Sequence, residues 1–321
     1  MTGGADVSVI IPAWRAVGLV ERAVASALAS LDVRIEVVVV DDASADSTFD
    51  VLLRLAASDA RVVADRLARN SGPSAARNRA IELAKGRYIA VLDADDAMAP
   101  GRLASLVALA DNSGADIVAD NMIEVDEAGA PIGAEPFLKS PAFGKARDID
   151  LATWALFNQP MKPGDCLGYL KPLIRRSTLD QSGIRYDTSL RNSEDYFLIA
   201  HLLAEGAHMT YTPEAGYFYQ RSPASTSHRL QPAHTKAWLA AERRFRTRYA
   251  GKLSAKAEAA LNVRGRALRD VNQFVSAVDA MKEHKLVKLF GLLFSDLQAS
   301  AYTLRTLAKI AMGKALRRKL V

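Results

Sequence analysis

The sequence is poor in cysteine and has no long apolar run. Its 321 residues include one cysteine, Cys166, which cannot form a disulfide within the chain and is compatible with a reducing compartment. The first apolar run, at residues 7–11, is far too short for a secretory signal and has no basic residue before it. These absences predict a cytoplasmic protein.

Most of the chain also lacks an excess of positive or of negative charge. The formal net charge is +6, but residues 281–321 hold nine Lys or Arg against Glu283 and Asp296, so the remaining 280 residues sum to about −1. A near-neutral body argues against a nucleic-acid partner, whereas a basic tail with apolar residues at 286–294 suits the inner face of a plasma membrane. Lys288 interrupts that stretch too soon for a spanning helix. The equal alternative is a helix pair packed on the protein or on a second subunit of a homo-oligomer.

Apolar residues make up 50% of the chain and charged residues 24%. This composition is typical of a globular protein with a sizeable core. Runs of β-branched residues at 7–12 and 35–40 flank a segment at 20–31 with helical spacing. Because such continuous runs suit strands buried on both faces, the pattern predicts a right-handed βαβ unit in a largely parallel sheet.

The alternation of strands and helices continues along the chain. The pattern predicts helices at 47–57, 74–85 and 100–112 and strands at 61–63, 88–92 and 116–119. Gly86 is expected to end the second of these helices. Residues 126–145, rich in Pro and Gly, predict a long loop, and the chain is expected to be helical after His234. We therefore expect one domain at 1–232 and a helical, basic extension at 233–321.

Acidic residues directly follow two of the predicted strands. Asp42 follows the second β-branched run, and Asp93, Asp95 and Asp96 follow the strand predicted at 88–92. In open α/β sheets, ligands bind beyond the carboxyl ends of the strands. Two carboxylates without a basic residue beside them in sequence are costly unless a cation neutralises them, and Mg²⁺ or Mn²⁺ binds a few carboxylates together with water and phosphate oxygens. The alternative is that these aspartates form turns and cap the helices that follow.

Three other segments carry candidate site residues. Residues 70–78 open a predicted helix and place Arg77 one turn inside it, where a phosphate would bind, although a solvated surface arginine is the alternative. Glu194 and Asp195 begin another predicted helix, where acids suit the helix dipole and where one of them could equally be a general base. His228 lies in a hydroxyl-rich loop and is either a phosphate or metal contact or an ordinary solvated side chain.

Together these segments resemble the family 2 glycosyltransferases of GT-A fold, over about residues 7–230. The residues that carry the resemblance occur in the family's order and spacing: Val9-Ile10-Ile11-Pro12, Val40-Asp41-Asp42-Ala43-Ser44, Asn70-Ser71-Gly72, Ala76-Arg77-Asn78, Gly86-Arg87-Tyr88-Ile89, Leu92-Asp93-Ala94-Asp95-Asp96 and Glu194-Asp195. Residues 171–176 and 183–186 look most like bacterial exopolysaccharide glycosyltransferases of the succinoglycan type.

The resemblance implies an α/β fold. The expected architecture is a Rossmann-like, mixed and mainly parallel sheet flanked by helices, with a C-terminal helical extension. Residues from about 1 to 120 would form the nucleotide-sugar-binding half of the catalytic domain and residues 121–232 the acceptor half. The loop at 126–145 would then lie over the acceptor site.

The resemblance also implies roles for individual residues. It implies a UDP-sugar site lined by Pro12, Ala13, Trp14, Asp42, Arg77, Asp93, Ala94 and Asp95. Within that site Asp42 would read the uracil. Asp95 would hold Mn²⁺ or Mg²⁺ with support from Asp93, and His228 is a further candidate ligand. Asp195 would be the catalytic base and Glu194 would orient the acceptor. Arg15 departs from the asparagine that many members carry and is a candidate contact to the donor phosphates.

The implied reaction is a single displacement that inverts the anomeric carbon. A sugar would move from a UDP-sugar, with UDP-glucose one candidate, to a saccharide or lipid-linked oligosaccharide in exopolysaccharide biosynthesis. One alternative is a nucleotidyltransferase, which would normally carry a glycine-rich basic loop where this sequence has residues 12–15. Another is an inactive regulator that binds sugar nucleotides, against which the presence of both Asp95 and Asp195 argues.

Overall fold

Strands and helices alternate along the amino-terminal part of the chain, as the sequence predicts. The computed structural model describes residues 4–221 and 230–319. The first elements are β1 (Val7–Ala13), α1 (Val20–Leu28), β2 (Ile35–Asp41), α2 (Thr48–Ser58), β3 (Val62–Arg66), α3 (Pro73–Leu83), β4 (Tyr88–Val91), β5 (Ala97–Met98), α4 (Arg102–Ser113) and β6 (Ile117–Val125).

Short elements and long C-terminal helices follow. They are β7 (Arg147–Asp148), α5 (Leu151–Leu156), β8 (Leu173–Arg175), α6 (Arg176–Ser182), α7 (Glu194–Ala204), β9 (Met209–Gln220), α8 (Pro232–Arg248), α9 (Ala255–Lys282), α10 (Leu286–Ser295) and α11 (Leu297–Lys319). The chain divides into two compact units. The first, Met1–Phe157 with Gly164–Ala224, contains the sheet, and the second, Asn158–Pro163 with Ser225–Val321, contains α8 to α11.

Within the described residues the sheet has nine strands, in the order β3-β2-β1-β4-β8-β6-β9-β5, with β7 paired to β9. Strands β1 to β4 are parallel, as are β6 and β9, whereas β8 runs antiparallel between β4 and β6. The predicted mixed, mainly parallel sheet is therefore confirmed. Because β1, β2 and β4 are parallel, their carboxyl ends lie at one edge of the sheet, where ligands of such folds bind.

The central strands are buried on both faces. Val9, Ile10 and Ile11 of β1 are fully buried, as are the four consecutive valines of β2. Helix α1 buries Val20, Ala23, Val24 and Ala27, which share one helical face. The continuous apolar runs of the sequence thus exist because helices cover both sides of these strands.

Gly86 does not end α3 as predicted. The helix stops at Leu83, and Ala84 after it is already extended. A β-carbon at Gly86 would lie 2.5 Å from the Ser8 nitrogen and 2.8 Å from the Val7 carbonyl carbon. Since those atoms belong to the backbone of β1, the glycine is needed for a close approach of two chain segments rather than for a helix cap.

Strand β9 is twelve residues long and was not predicted. It contains Pro213 and Gly216, which normally argue against a strand inside a sheet. The pairing with β6 shifts at this point, because Asp120 faces Thr212 and the next residue, Asn121, faces Ala215. The proline therefore lies in a bulge outside the ladder, where no strand hydrogen bond is lost.

The second unit is helical, as expected for the C-terminal part of the chain. Val271, Phe274 and Val275 of α9 form its buried apolar cluster, against which partly buried residues pack: Leu230, Val278, Tyr302 and Leu307. Along α10, however, Val287, Phe290 and Phe294 are 88%, 59% and 77% exposed. None of the helices in the described ranges is both long and apolar enough to cross a membrane.

Candidate active site

The acidic segments converge on the carboxyl edge of the parallel strands. Asp42 follows β2 directly, Asp93 lies two residues after β4, and Glu194 begins α7. Asp42 and Glu194 are buried, at 3% and 7% exposure. Burial of these acids requires hydrogen bonds or opposite charges to compensate for lost hydration.

Asp42 organises the loop that leads into α3. Its Oδ1 accepts a hydrogen bond from the Ser71 backbone N–H at 2.6 Å, and its Oδ2 accepts from the Gly72 backbone N–H at 2.7 Å and from Asn70 Nδ2 at 2.9 Å. The alternative in which Asp42 caps α2 is wrong, because its carboxylate bonds a different segment. About four acceptor sites exist on a carboxylate, so about one remains for a ligand.

The end of β1 lies beside this loop system. The Asp42 backbone N–H donates to the Ala13 carbonyl at 2.8 Å, and the Arg15 backbone N–H donates to Ser44 Oγ at 2.9 Å. Trp14 is 51% exposed, and the Arg15 guanidinium lies 4.8 Å from its ring centre. Trp14 is thus a large aromatic surface held at the edge where the donor site is predicted; Pro12 and Ala13 precede it in β1.

Asp93 is neutralised by two basic side chains that are distant in sequence. Its Oδ1 accepts from Arg77 Nη2 at 2.7 Å, and its Oδ2 lies 2.9 Å from Lys171 Nζ. Burial pushes the pKa of Asp93 upward, but Lys171 and Arg77 outweigh burial and hold the pKa well below its usual range. The fold itself therefore supplies two of the cations that the predicted pair of carboxylates requires.

The same two cations reach the acids of α7. Arg77 Nη1 donates to Glu194 Oε1 at 2.7 Å, and Lys171 Nζ donates to Asp195 Oδ2 at 2.9 Å. Burial opposes the charge on Arg77 and on Lys171, but the surrounding carboxylates, Asp195 and Asp93 first, raise the pKa of both. We call these five side chains the charge network. Arg77 is buried within it and is not the solvated surface arginine that the sequence left open.

Strand β8 places Lys171 beside Asp93. In the antiparallel pairing Ala90 faces Leu173, so the register brings the segment just before β8 alongside the segment just after β4. Arg102, which forms a buried ion pair with Asp120 at 2.7 Å, also donates to the Lys171 carbonyl. Lys171 was not predicted as a site residue, although residues 171–176 carry the resemblance to succinoglycan-type glycosyltransferases.

Asp96 is a structural acid and not a helix cap. The α4 N-cap position is Gly101, five residues further on. Asp96 is buried and accepts hydrogen bonds from the Tyr217 hydroxyl at 2.6 Å and from the Gln220 backbone N–H at 2.8 Å. Burial, followed by the nearby Asp93 and Asp95 charges, raises its pKa well above the usual value. Asp96 therefore fastens β9 to the turn that carries Asp93, Ala94 and Asp95.

Asp95 is the carboxylate in this turn that is left for a metal ion. Across residues 4–221 and 230–319 it takes part in no ion pair, and burial followed by the Asp93 charge raises its pKa. Asp95 and the charge network together hold four acids and two bases, and Arg22, whose Nη2 donates to the Asp95 carbonyl at 2.6 Å, is a third cation nearby. A carboxylate without an ion-pair partner in the described residues fits Mn²⁺ or Mg²⁺, which need only one or two protein carboxylates beside phosphate oxygens.

A preformed cage of metal ligands is absent from the described residues, where no three His, Cys, Asp or Glu side chains are grouped to hold a metal ion. His228, the further candidate ligand, lies outside the described residues. The structure thus joins Arg77, Asp93, Glu194 and Asp195 in one network, while Asp42 belongs to the separate hydrogen bonds of the loop before α3.

Comparison with known sequences places this site in a protein family. Residues 8–175 match the model of glycosyl transferase family 2. The succinoglycan biosynthesis protein ExoO of Rhizobium meliloti strain 1021 is 37% identical over 281 residues, which are 88% of this chain and 79% of that protein. The likeness to ExoO therefore extends beyond the family match and includes α7.

Solved structures share the fold. TarS 1–349 of S. aureus in complex with UDP-GlcNAc superposes with a TM-score of 0.63 at 17% identity, over 95% of this chain and 92% of that chain. The mannosyltransferase PcManGT of Pyrobaculum calidifontis in complex with GDP-Man and Mn²⁺ gives 0.59 at 19% identity, over 99% and 83%. These likenesses confirm the GT-A fold.

Proposed function

Because this chain is a glycosyltransferase of family 2, we propose that it moves a sugar from a UDP-sugar to a saccharide or lipid-linked oligosaccharide in exopolysaccharide biosynthesis, with inversion at the anomeric carbon. The observation that carries the proposal is the contact of one buried ammonium, Lys171 Nζ, with Asp93 and Asp195 at 2.9 Å each. The strand-end acid predicted for the donor and the acid predicted as base are thereby neighbours in one site.

The donor proposal rests on residues rather than on the fold. TarS binds UDP-GlcNAc and PcManGT binds GDP-Man, so the fold accepts more than one base. Asp42 holds the loop before α3 and keeps acceptor capacity for a base imino N–H. The exposed Trp14 offers a ring face nearby. We propose UDP-glucose as the first donor to examine.

Asp95, supported by Asp93, would hold the divalent metal ion. A bound Mn²⁺ or Mg²⁺ would neutralise the negative charge that develops on the diphosphate as it leaves. Asp93 itself is committed to Arg77 and Lys171 through both of its oxygens. Its main contribution is therefore to fix the turn on which Asp95 is presented.

Asp195 would act as the base. Lys171 contacts its Oδ2, which leaves Oδ1 for a proton from the acceptor. As Oδ1 takes the proton, the acceptor oxygen forms a bond to the anomeric carbon, and the bond to the diphosphate breaks with its electron pair leaving on UDP. Attack opposite the leaving group turns an α-linked donor into a β-linked product. A positioned base contributes about 10²–10⁴-fold to such a rate.

Two substitutions test these roles separately. Asp95→Ala should abolish Mn²⁺-dependent UDP binding in calorimetry, because it removes the unpaired carboxylate. Asp195→Asn should keep UDP binding while UDP release from the donor falls about 10³-fold, since the amide cannot accept the proton. Asp50→Asn, an exposed aspartate on α2, is the control and should change neither. Unchanged Mn²⁺-dependent binding in Asp95→Ala would sink the metal assignment.

The remaining alternative is a regulator that binds sugar nucleotides without turnover. Such a protein would bind UDP in a manner that depends on Asp95 but would release no UDP from any UDP-sugar. A screen of UDP-sugars for UDP release by the full chain distinguishes the two. The nucleotidyltransferase alternative is disfavoured by the family match.

We also propose that the second unit contacts an anionic membrane surface through α10. Val287, Phe290 and Phe294 lie on one helical face and are mostly exposed, and a contiguous exposed apolar face of this kind is typical of a contact site. Lys282 and Lys285 precede the helix, and basic residues near an apolar face favour anionic lipid. This contact would bring the enzyme to lipid-linked acceptors.

A further inference from the structure

Lys171 is a buried lysine that contacts both the donor-side acid Asp93 and the proposed base Asp195. No other side chain of the charge network contacts both acids. The Lys171 side chain is 8% exposed, and its ammonium lies 2.9 Å from Asp93 Oδ2 and 2.9 Å from Asp195 Oδ2. An ammonium has three donors and no acceptors. A charge buried this deeply persists only where carboxylates compensate for lost hydration. Both compensating carboxylates belong to the proposed reaction.

We propose that Lys171 is the positioning residue for the base: it holds Asp195 Oδ2 and thereby directs Oδ1 toward the acceptor hydroxyl. The inference rests on the proposed function, because it assumes that Asp195 is the base. Within the described part of the chain Lys171 is the one cation in an ion pair with Asp195, whereas Asp93 keeps Arg77 if Lys171 is removed. Loss of Lys171 should therefore affect the base more than the donor side.

The backbone around Lys171 is fixed in a way that suits this role. Pro172 follows it and restricts Lys171 to extended backbone. Arg102 donates to the Lys171 carbonyl and is itself anchored by the buried Asp120. The backbone that carries the ammonium is thus anchored beside the sheet and is not part of a free loop. Because misplacement of a reacting group by about 1 Å can lower a rate about 10²-fold, such anchoring matters for catalysis.

The network has two arms that divide this work. One arm runs from Asp93 Oδ1 through Arg77 to Glu194, and the other runs from Asp93 Oδ2 through Lys171 to Asp195. Both arms begin on the same donor-side aspartate. If the network served only to stabilise the fold, either arm would be sufficient. An effect of Lys171 on turnover that is larger than its effect on stability therefore identifies it as a positioning residue.

The principal test is Lys171→Met in the full chain. UDP binding with Mn²⁺, measured by calorimetry, should stay within about threefold of wild type, while kcat for UDP release from the UDP-sugar that wild type uses should fall about 10²-fold. Lys171→Arg, which can also bridge two carboxylates, should recover at least about tenfold of that loss. Lys85→Met is the control, since Lys85 is exposed and precedes β4, at the opposite end of that strand from Asp93. It should behave as wild type.

A double-mutant cycle separates positioning from a general structural effect. If Lys171 acts through Asp195, Lys171→Met should lower kcat about 10²-fold in the wild-type background and less than about threefold in the Asp195→Asn background. Equal losses in both backgrounds would overturn the proposal, as would wild-type kcat in Lys171→Met. Should Lys171→Met fail to fold, Lys171→Gln, which keeps a donor without the charge, replaces it in the same cycle.

The outcome also distinguishes this inference from the proposed function. A wild-type chain that releases UDP from no UDP-sugar would overturn both. If kcat stays at the wild-type level in Lys171→Met but is lost in Asp195→Asn, the inference alone is overturned and the base assignment stays in place.

Discussion

At the scale of single residues, the site depends on where charge is left uncompensated. Asp93 appeared in the sequence as an acid without a basic neighbour, yet in the fold both of its oxygens contact cations. Asp95, two residues later, has no such partner within the described ranges. The two acids of this turn therefore differ in their surroundings, since Asp93 is fixed by protein cations and Asp95 is not paired with any cation of the described residues. The difference arises entirely from elements distant in sequence.

Arg77 and Arg79 on α3 provide a matched pair for measuring this compensation. Arg77 is buried between Asp93 and Glu194, so Arg77→Met should lower the free energy of unfolding by about 3 kcal/mol, because the buried Glu194 and the partly buried Asp93 each lose a partner. Arg79 is 42% exposed and pairs with Asp65 and Glu82. Arg79→Met should therefore cost less than about 1 kcal/mol.

Urea denaturation followed by tryptophan fluorescence measures both variants. Equal losses in the two would contradict the claim that the Arg77 ion pairs are buried and strongly coupled. A larger loss in Arg79→Met would show that the exposed pairs dominate instead.

At the scale of elements, the sequence predicted the strands that are apolar throughout. Strands β1, β2 and β4 were found because each is a continuous β-branched or apolar run that is buried on both faces. Strand β9 was missed because local rules count Pro213 and Gly216 against a strand. Only the register of β6 shows that the proline falls in a bulge. Strand β9 forms because of pairing between distant segments, which local propensity does not predict.

The candidate site was predictable to a similar degree. Asp93, Asp195 and Arg77 stand in recognisable motifs, and the structure joins them in one network. Lys171 was not predicted as a site residue, because residues 171–176 carry a subfamily resemblance but no motif that assigns a role to the lysine. Its role follows from the antiparallel register of β8 against β4. The missing information was which strands are neighbours, and that is a property of the whole sheet.

Gly86 gives a test at the element scale. Gly86→Ala should lower the free energy of unfolding by about 2–3 kcal/mol, because the new methyl group would lie 2.5 Å from the Ser8 nitrogen and neither strand can move freely. Gly4→Ala, before β1, is the control. No atom lies within 4 Å of the β-carbon it would add, so its stability should stay within about 0.5 kcal/mol of wild type. If Gly86→Ala is as stable as wild type, β1 and the α3–β4 connection can move apart easily, which would contradict the close approach.

At the scale of the whole molecule, the family match covers only part of the functional chain. The match ends at residue 175, whereas Glu194 and Asp195 lie beyond it. The likeness to ExoO spans 88% of this chain. The proposed chemistry therefore needs residues on both sides of β8, and the second unit adds the exposed face of α10.

Liposome flotation tests the proposed membrane contact. The full chain should float with vesicles of anionic phospholipid and less with neutral vesicles, because basic residues and exposed apolar side chains act together. A triple variant, V287S/F290S/F294S, should lose flotation, since each large apolar side chain contributes about 1.5–3 kcal/mol when buried. The control L31S/L53S removes two other exposed apolar side chains and should float normally.

Flotation of the triple variant at the wild-type level would contradict the contact. Gel filtration of both variants identifies the competing explanation. If the wild-type chain is a dimer that the triple variant converts to a monomer, the face of α10 serves a second subunit and not a lipid surface.

The position of β8 also bears on how proteins with this fold can diverge. Strands β6 and β8 are neighbours in the sheet, yet residues 126–172 lie between them in the chain, and among these β7 also joins the sheet by pairing with β9. Because the entropy of loop closure grows only slowly with loop length, a change in the number of residues between β6 and β7 or between β7 and β8 should add little to the cost of closing these connections. The lengths of these connections can therefore change while the register of β8 against β4, which brings Lys171 to Asp93, stays the same.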